Sequence, residues 1–196
     1  MIRTTYIALF LVIISGCGKD KLPVIKDISE KEYTLVNQNN KEVNFPGDYK
    51  GQMVVMGFIF THCPDICPMT THNMERIEER LNKDGVKDVR FVAFSFDPER
   101  DRPEVLTEYA GVRDINLSNW SFLTGERNVI DSLKGSMGVV AIAGDTTVDA
   151  SGEKSYFFIH TDRISLIDKE GKLRKNYSGS QINVDEIVND IKLLED

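Results

Sequence analysis

Three cysteines, three histidines and one tryptophan in 196 residues leave few chemistry-bearing side chains to place. Cysteine this sparse excludes a small domain stapled together by several disulfides. The longest unbroken apolar stretch, Tyr6 to Ile14, is too short to span a bilayer comfortably, since a crossing helix needs about 20 residues. Positive charge is also scarce. Lys and Arg number 24 against 31 Asp and Glu, a formal net charge of −7, and no basic cluster stands out. Nucleic acid is therefore not expected as a partner. No repeat or low-complexity tract occurs, and no proline lies beyond Pro103.

What is present is concentrated in one run, Thr61-His62-Cys63-Pro64-Asp65-Ile66-Cys67-Pro68. The apolar stretch Met53 to Phe60 stops just before it, and a helical pattern starts just after. Two thiols are thus presented at a strand-to-helix junction, where helix N–H groups and the helix dipole favour thiolate. Positions i and i+4 share a helix face, so both sulfurs can point at one atom or at each other. The chemistry this allows is soft-metal binding, thiol–disulfide exchange, or both. A purely structural disulfide is the weaker reading, because a cross-link closing so short a loop stabilises little.

Cys17 belongs to a different feature. Arg3, the apolar run to Ile14 and the small residues Ser15-Gly16 form a leader with a cleavage site, and cysteine follows immediately. This resembles a bacterial lipoprotein signal, with Cys17 as the acylated mature N-terminus. A plain secretory signal or an uncleaved anchor is the alternative. The division expected is a leader over 1–16, a tether over 17–29 and one domain over 30–196, held on the extracytoplasmic side of a membrane.

Along that domain, Tyr33-Thr34-Leu35-Val36 and Glu42-Val43-Asn44-Phe45 read as a hairpin turned by asparagines. Gln52 to Phe60 and Val89 to Phe96 read as buried strands, with a helix from Asp65 to Leu81 between them. A helix opens at Pro103 and ends near Gly111, Trp120 to Leu123 is a short strand, and Glu126 to Lys134 is a helix. Residues 143–154 read as a polar surface insertion or lid. Tyr156 to Ile159, Ile164 to Ile167 and Lys172 to Lys175 are strands, and Asn183 opens a terminal helix through a capping-box-like start. Strand–helix–strand alternation followed by a hairpin and a helix is the order of a thioredoxin-like α/β fold: a central mixed sheet flanked by helices, with an N-terminal hairpin and an insertion before the last hairpin.

Each histidine has a structural and a functional reading. His160 follows the strand ending at Ile159, a connection that in a thioredoxin-like fold faces the cysteine loop. There it would complete a trigonal site with the two thiolates; otherwise it is a surface-loop residue. His62 would have to fold back to share a metal with Cys63 and more readily shapes the loop or tunes the thiolate pKa. His72 lies within the helix, in solvent. Met69 and Met74 are set aside, because methionine on a helix is mostly packing. Asp97, ending the second core strand, either orders the surroundings of the ligands, touches a partner, or simply forms the turn before Pro98.

Four segments carry a family resemblance: Phe60 to Pro68, Ser95-Phe96-Asp97-Pro98-Glu99-Arg100-Asp101, Trp120-Ser121-Phe122-Leu123-Thr124-Gly125, and His160 followed by Leu166-Ile167-Asp168. Taken in order, they resemble the SCO/SenC family of thioredoxin-like copper chaperones for cytochrome c oxidase assembly. The resemblance implies one copper, as Cu(I) or Cu(II), on Cys63, Cys67 and His160. It also implies a redox-active Cys63–Cys67 pair and delivery to, or reduction of, the Cu(A) site of oxidase subunit II, with other copper carriers or thiol reductants as further partners. On this reading the chain is a metallochaperone rather than an enzyme. The rival readings are a membrane-anchored thiol–disulfide oxidoreductase without a physiological metal and a copper or redox sensor. Against the first, three residues separate the cysteines where thioredoxin-type reductases have two.

Overall fold

The structure is a computed structural model that describes residues 22–63, 66–144, 146–148 and 154–195. The expected leader and Cys17 lie outside the described residues. In chain order the elements are β1 (Lys26–Asp27), β2 (Tyr33–Asn37), β3 (Glu42–Phe45), β4 (Met53–Ile59), α1 (Ile66–Lys83), β5 (Val89–Ser95), α2 (Pro103–Val112) and β6 (Trp120–Thr124). There follow α3 (Arg127–Met137), β7 (Ala141–Ala143), β8 (Thr147–Val148), β9 (Lys154–Ser155), β10 (Phe158–His160), β11 (Ile164–Ile167), β12 (Lys172–Tyr177) and α4 (Val184–Glu195).

One sheet runs in the order β1-β12-β11-β4-β5-β6-β2-β3. Strands β4, β5 and β6 are mutually parallel, while β11 joins β4 and β12 joins β11 antiparallel. This is a βαβ half fused to a ββα half, the thioredoxin-like arrangement. Strand β4 lies between β5 and β11, and all seven of its residues are buried, which explains a sequence apolar on both faces. Apart from Gly57, each of these side chains contributes about 1.5–3 kcal/mol on burial, so β4 is a firm base for the loop that leaves it.

Helix α1 buries Cys67, Thr70, Thr71, Met74, Ile77 and Leu81, a stripe at helical spacing. Cys67 is therefore aimed by the same periodicity that packs the core. Gly57 on β4 lets the helix approach: a Cβ there would sit 3.2 Å from Met74 Sδ and 3.3 Å from Thr70 Cγ2. Helix α1 packs beside α4, α2 against β6 and α3 against β2. Among the described residues no helix is long and apolar enough to cross a membrane.

Three features differ from the sequence reading. Ile25 donates to the Leu173 carbonyl at 2.8 Å and Ile28 to that of Gly171 at 3.1 Å, so β1 lies along β12 within the stretch expected to be tether. The outer edge of β12 needs hydrogen-bond partners, and buried Ile28 adds apolar contact. Second, α3 continues to Met137, where Gly138 adopts φ +64° and ends it. Third, β7 was not expected. It pairs with β10 as a ribbon outside the main sheet, with Phe158 opposite Ala143 and His160 opposite Ala141. His160 is thus the last residue of a strand rather than part of the loop after it. Between β7 and β10, the short pair β8 and β9 occupies the expected insertion.

Candidate metal centre

The chain leaves β4 at Ile59, and a turn closed by the Cys63 N–H on the Phe60 carbonyl (3.2 Å) brings it to α1. Pro64 and Asp65 fall outside the described residues. Both sulfurs are buried and each accepts a backbone N–H: Cys67 N–H on Cys63 Sγ at 3.3 Å, and Phe60 N–H on Cys67 Sγ at 3.4 Å. No disulfide joins them. These donors would offset negative charge on sulfur, but the thiolate expected from the junction does not hold for Cys67, whose hydrogen bond to Cys63 and burial favour the thiol.

His160 arrives from the β7–β10 ribbon. Alternation along residues 156–160 turns Tyr156, Phe158 and His160 inward and leaves Phe157 and Ile159 exposed. The imidazole packs against the rings of Phe96 (5.0 Å between centroids) and Phe60 (6.1 Å), with Phe158 touching both phenylalanines. Its Nδ1 faces the Thr161 carbonyl at 3.1 Å. With the proton there, Nε2 presents its lone pair to the sulfurs, 3.7 Å from Cys67 Sγ.

The ligand atoms of Cys63, Cys67 and His160 all lie within 4.8 Å of one another. Three donors at roughly 2.0–2.3 Å from a shared ion would stand ~3.5–4 Å apart, so the set fits one soft cation after small adjustments. The electrostatics point the same way. Hydrogen bonding to Cys63 and burial together hold the Cys67 thiol well above the ordinary range, despite the Phe60 N–H. Burial opposes a charged His160, but its contacts with Cys63 and the Thr161 carbonyl outweigh that and raise its pKa. A metal bound here would displace the proton that Cys67 holds as a thiol.

Around this trio lie supports that the sequence reading did not single out. Asp101 has no exposed surface and accepts from the Thr61 N–H (3.0 Å), the Thr61 hydroxyl (2.5 Å) and Ser95 Oγ (2.6 Å), fixing the start of the cysteine loop. Asp162 accepts from Ser180 N–H (2.9 Å) and Thr70 Oγ1 (3.3 Å), tying the segment after His160 to α1. The motif around Asp97 contains Asp101, but spacing alone does not say which carboxylate turns under the loop. Asp97 is itself fully buried and bonded to Arg100 and to the Tyr156 hydroxyl. Its carbonyl also accepts from the Arg100 and Asp101 N–H groups at 3.2 and 2.9 Å, so Asp97 closes the turn before Pro98 as well as binding these side chains. His62 is exposed, with Nδ1 3.1 Å from Thr61 Oγ1, and His72 is exposed 3.8 Å from Glu75. Met74 is core and Met69 is exposed.

The comparisons with known proteins agree with this arrangement. A family model described as SCO1/SenC matches residues 25–195. A SCO1/SenC family lipoprotein from Bacillus anthracis is 29% identical with a TM-score of 0.72, covering 89% of this chain and 100% of that one. Bradyrhizobium japonicum ScoI, solved with copper bound, is 27% identical with a TM-score of 0.70, covering 84% and 98%. BsSco, described as carrying a disulfide switch and as a member of the Sco family of cytochrome c oxidase assembly proteins, is 28% identical with a TM-score of 0.71, covering 89% and 98%. A family model matching from the first sheet strand to the last helix leaves one conclusion, that this chain belongs to the SCO1/SenC family.

Proposed function

We propose that the chain is a copper-binding assembly factor for cytochrome c oxidase, anchored through Cys17 on the extracytoplasmic side of a membrane. The observation that carries this reading is the convergence of Cys63, Cys67 and His160 on one point. Two thiolates and a neutral imidazole give a Cu(I) complex a net charge of −1. The Phe60 and Cys67 N–H groups are placed to offset it, and soft sulfur selects that ion. The imidazole nitrogen extends the site to Cu(II). The copper-bound Bradyrhizobium japonicum relative supports the cargo, and the oxidase assembly role of BsSco supports the destination. The acceptor is the Cu(A) site of oxidase subunit II.

The same thiol pair supports a second reading, reduction of the acceptor's cysteines before loading. Cys63 and Cys67 would pass two electrons and two protons to a target disulfide, ending as a disulfide themselves while the target gains two thiols. The disulfide switch described for BsSco favours keeping this reading.

Copper titration of the reduced protein tests the site. One ion per chain is expected, with sulfur-to-Cu(II) charge-transfer absorption that Cys63→Ala abolishes. His160→Ala should weaken Cu(II) binding more than Cu(I), because the softer ion persists on two thiolates. Undiminished affinity for both ions in that variant would remove His160 from the site.

A further inference from the structure

Strand β10 carries His160 yet shares no ladder with the main sheet; its hydrogen-bonded partner is the three-residue strand β7. A two-stranded ribbon is marginal by itself, so the place of the imidazole depends on what ties the ribbon down. On its C-terminal side β11 begins at Ile164, pinned between β4 and β12. On its N-terminal side Tyr156 provides a polar attachment. The Tyr156 hydroxyl donates to Asp97 Oδ1 at 2.8 Å, and its ring lies under the Arg100 guanidinium, 3.7 Å from Cζ to centroid. The two Arg100 Nη atoms approach its carbonyl at 3.4 Å. Arg100 Nε pairs with the other oxygen of Asp97. Asp97 is held in turn, its N–H on Ser95 Oγ at 3.0 Å and its carbonyl accepting from Asp101 N–H at 2.9 Å. The clasp thus joins the segment leading into β10 to the segment leaving β5, fifty-nine positions away in the chain.

We propose that Tyr156, clasped by Asp97 and Arg100, is a positioning residue that sets His160 over the cysteine pair, so that opening the clasp withdraws the third ligand while leaving both thiolates in place. Tyr156 lies two residues before β10, and the alternation that turns Phe158 and His160 inward continues back to it, so a displacement at Tyr156 is passed along extended backbone to His160. Phe158 packs on Phe60 and Phe96 at 5.2 and 4.9 Å between centroids, but ring packing tolerates sliding where the directional bonds at Tyr156 do not. The inference rests on His160 being a ligand.

The test is a double-mutant cycle on the reduced protein with His160→Ala and Tyr156→Ala, reading Cu(II) affinity, the sulfur-to-Cu(II) absorption band and the thermal midpoint of the metal-free form. Tyr156→Ala is expected to weaken Cu(II) binding about 10–100-fold, the range for residues supporting a ligating histidine. Cu(I) affinity should change less, and Tyr156→Phe should recover part of the loss by restoring the ring under Arg100. In the His160→Ala background, Tyr156→Ala should change Cu(II) affinity less than ~3-fold, because its only route is then gone. An equal loss in both backgrounds, or no loss in the wild-type background, overturns the clasp. If Tyr156→Ala does not fold, the same cycle with Arg100→Gln gives the same two outcomes. A His160→Ala protein with unchanged Cu(II) affinity would instead sink the ligand assignment itself, a result the cycle separates from failure of the clasp.

Discussion

Asp101 has no exposed surface, and its oxygens are taken by Thr61 and Ser95. Burial raises its pKa, and the Ser95 and Thr61 bonds recover only part of that. The unfolded chain loses this proton near 3.8, the ordinary value for aspartate, whereas the native state keeps it to higher pH. Between those two points the native state binds more protons, so stability falls as pH rises through the window. Above the folded pKa the full cost of a buried carboxylate is present. Asp101→Asn cannot ionise and can still bond both partners, the Thr61 hydroxyl turning to accept from the amide. Its stability relative to wild type should therefore rise with pH above 3.8 and then level off. Urea unfolding of both proteins over a pH series checks this, and parallel curves would exclude Asp101 as the source. At this scale the sequence singled out the three residues that the structure brings together and offered Asp97 among their candidate supports, but not Asp101 or Tyr156. Cys63, Cys67 and His160 are rare residues whose chemistry narrows their roles. Asp97, Asp101 and Tyr156 are common residue types, and what distinguishes them is which groups meet across tens of positions.

At the scale of elements, periodicity carried the prediction where burial is one-sided or complete. Strand β4, the α1 stripe and the asparagine-turned β2–β3 hairpin all follow from local pattern; Asn37 Oδ1 accepts from Asn39 and Lys41 N–H at 2.9 and 3.0 Å, and Asn40 takes φ +56°. Strand β1 was not legible because its two residues are exposed and paired by edge geometry alone. Residues 156–159 read as a strand, but β7 and its pairing with β10 were not legible, since the outward Ile142 and Ile159 are as apolar as a core face. The junction of β4 and α1 makes a prediction of its own. Cys63 and Cys67 stand at i and i+4, within the 4.8 Å group but unbridged, whereas a disulfide needs sulfurs at about 2.05 Å. Closing it requires movement at the helix start and removes the two N–H···S bonds in their present form. The oxidised pair should be readily reduced and unable to load copper. Mass spectrometry after mild oxidation should show loss of two hydrogens together with loss of copper uptake; normal uptake by the fully oxidised chain would break the link between the two states.

For the whole molecule, the position of β1 shortens the reach of any lipid anchor. Pairing with β12 begins at Ile25, so a tether from Cys17 to Val24 extends at most ~30 Å. Under the proposed acylation, the domain stays close to the membrane, and its effective concentration near a membrane-bound acceptor rises without any added contact. A single acyl chain binds only marginally, so lasting retention needs the several chains of a mature lipoprotein. The proposed copper site depends on β4, α1 and the β7–β10 ribbon, none of which includes residues before Met53. Anchoring and metal binding should therefore separate cleanly. Cys17→Ser is expected to move the protein from the membrane fraction to the soluble one and to lower Cu(A) loading of the oxidase, with copper affinity in solution unchanged within about twofold. Fractionation, oxidase activity under copper limitation and a copper titration of the released protein provide the three measurements. Retention of the variant on membranes would remove Cys17 as the anchor. Full oxidase loading by a protein that has left the membrane would show that proximity is not what the anchor supplies.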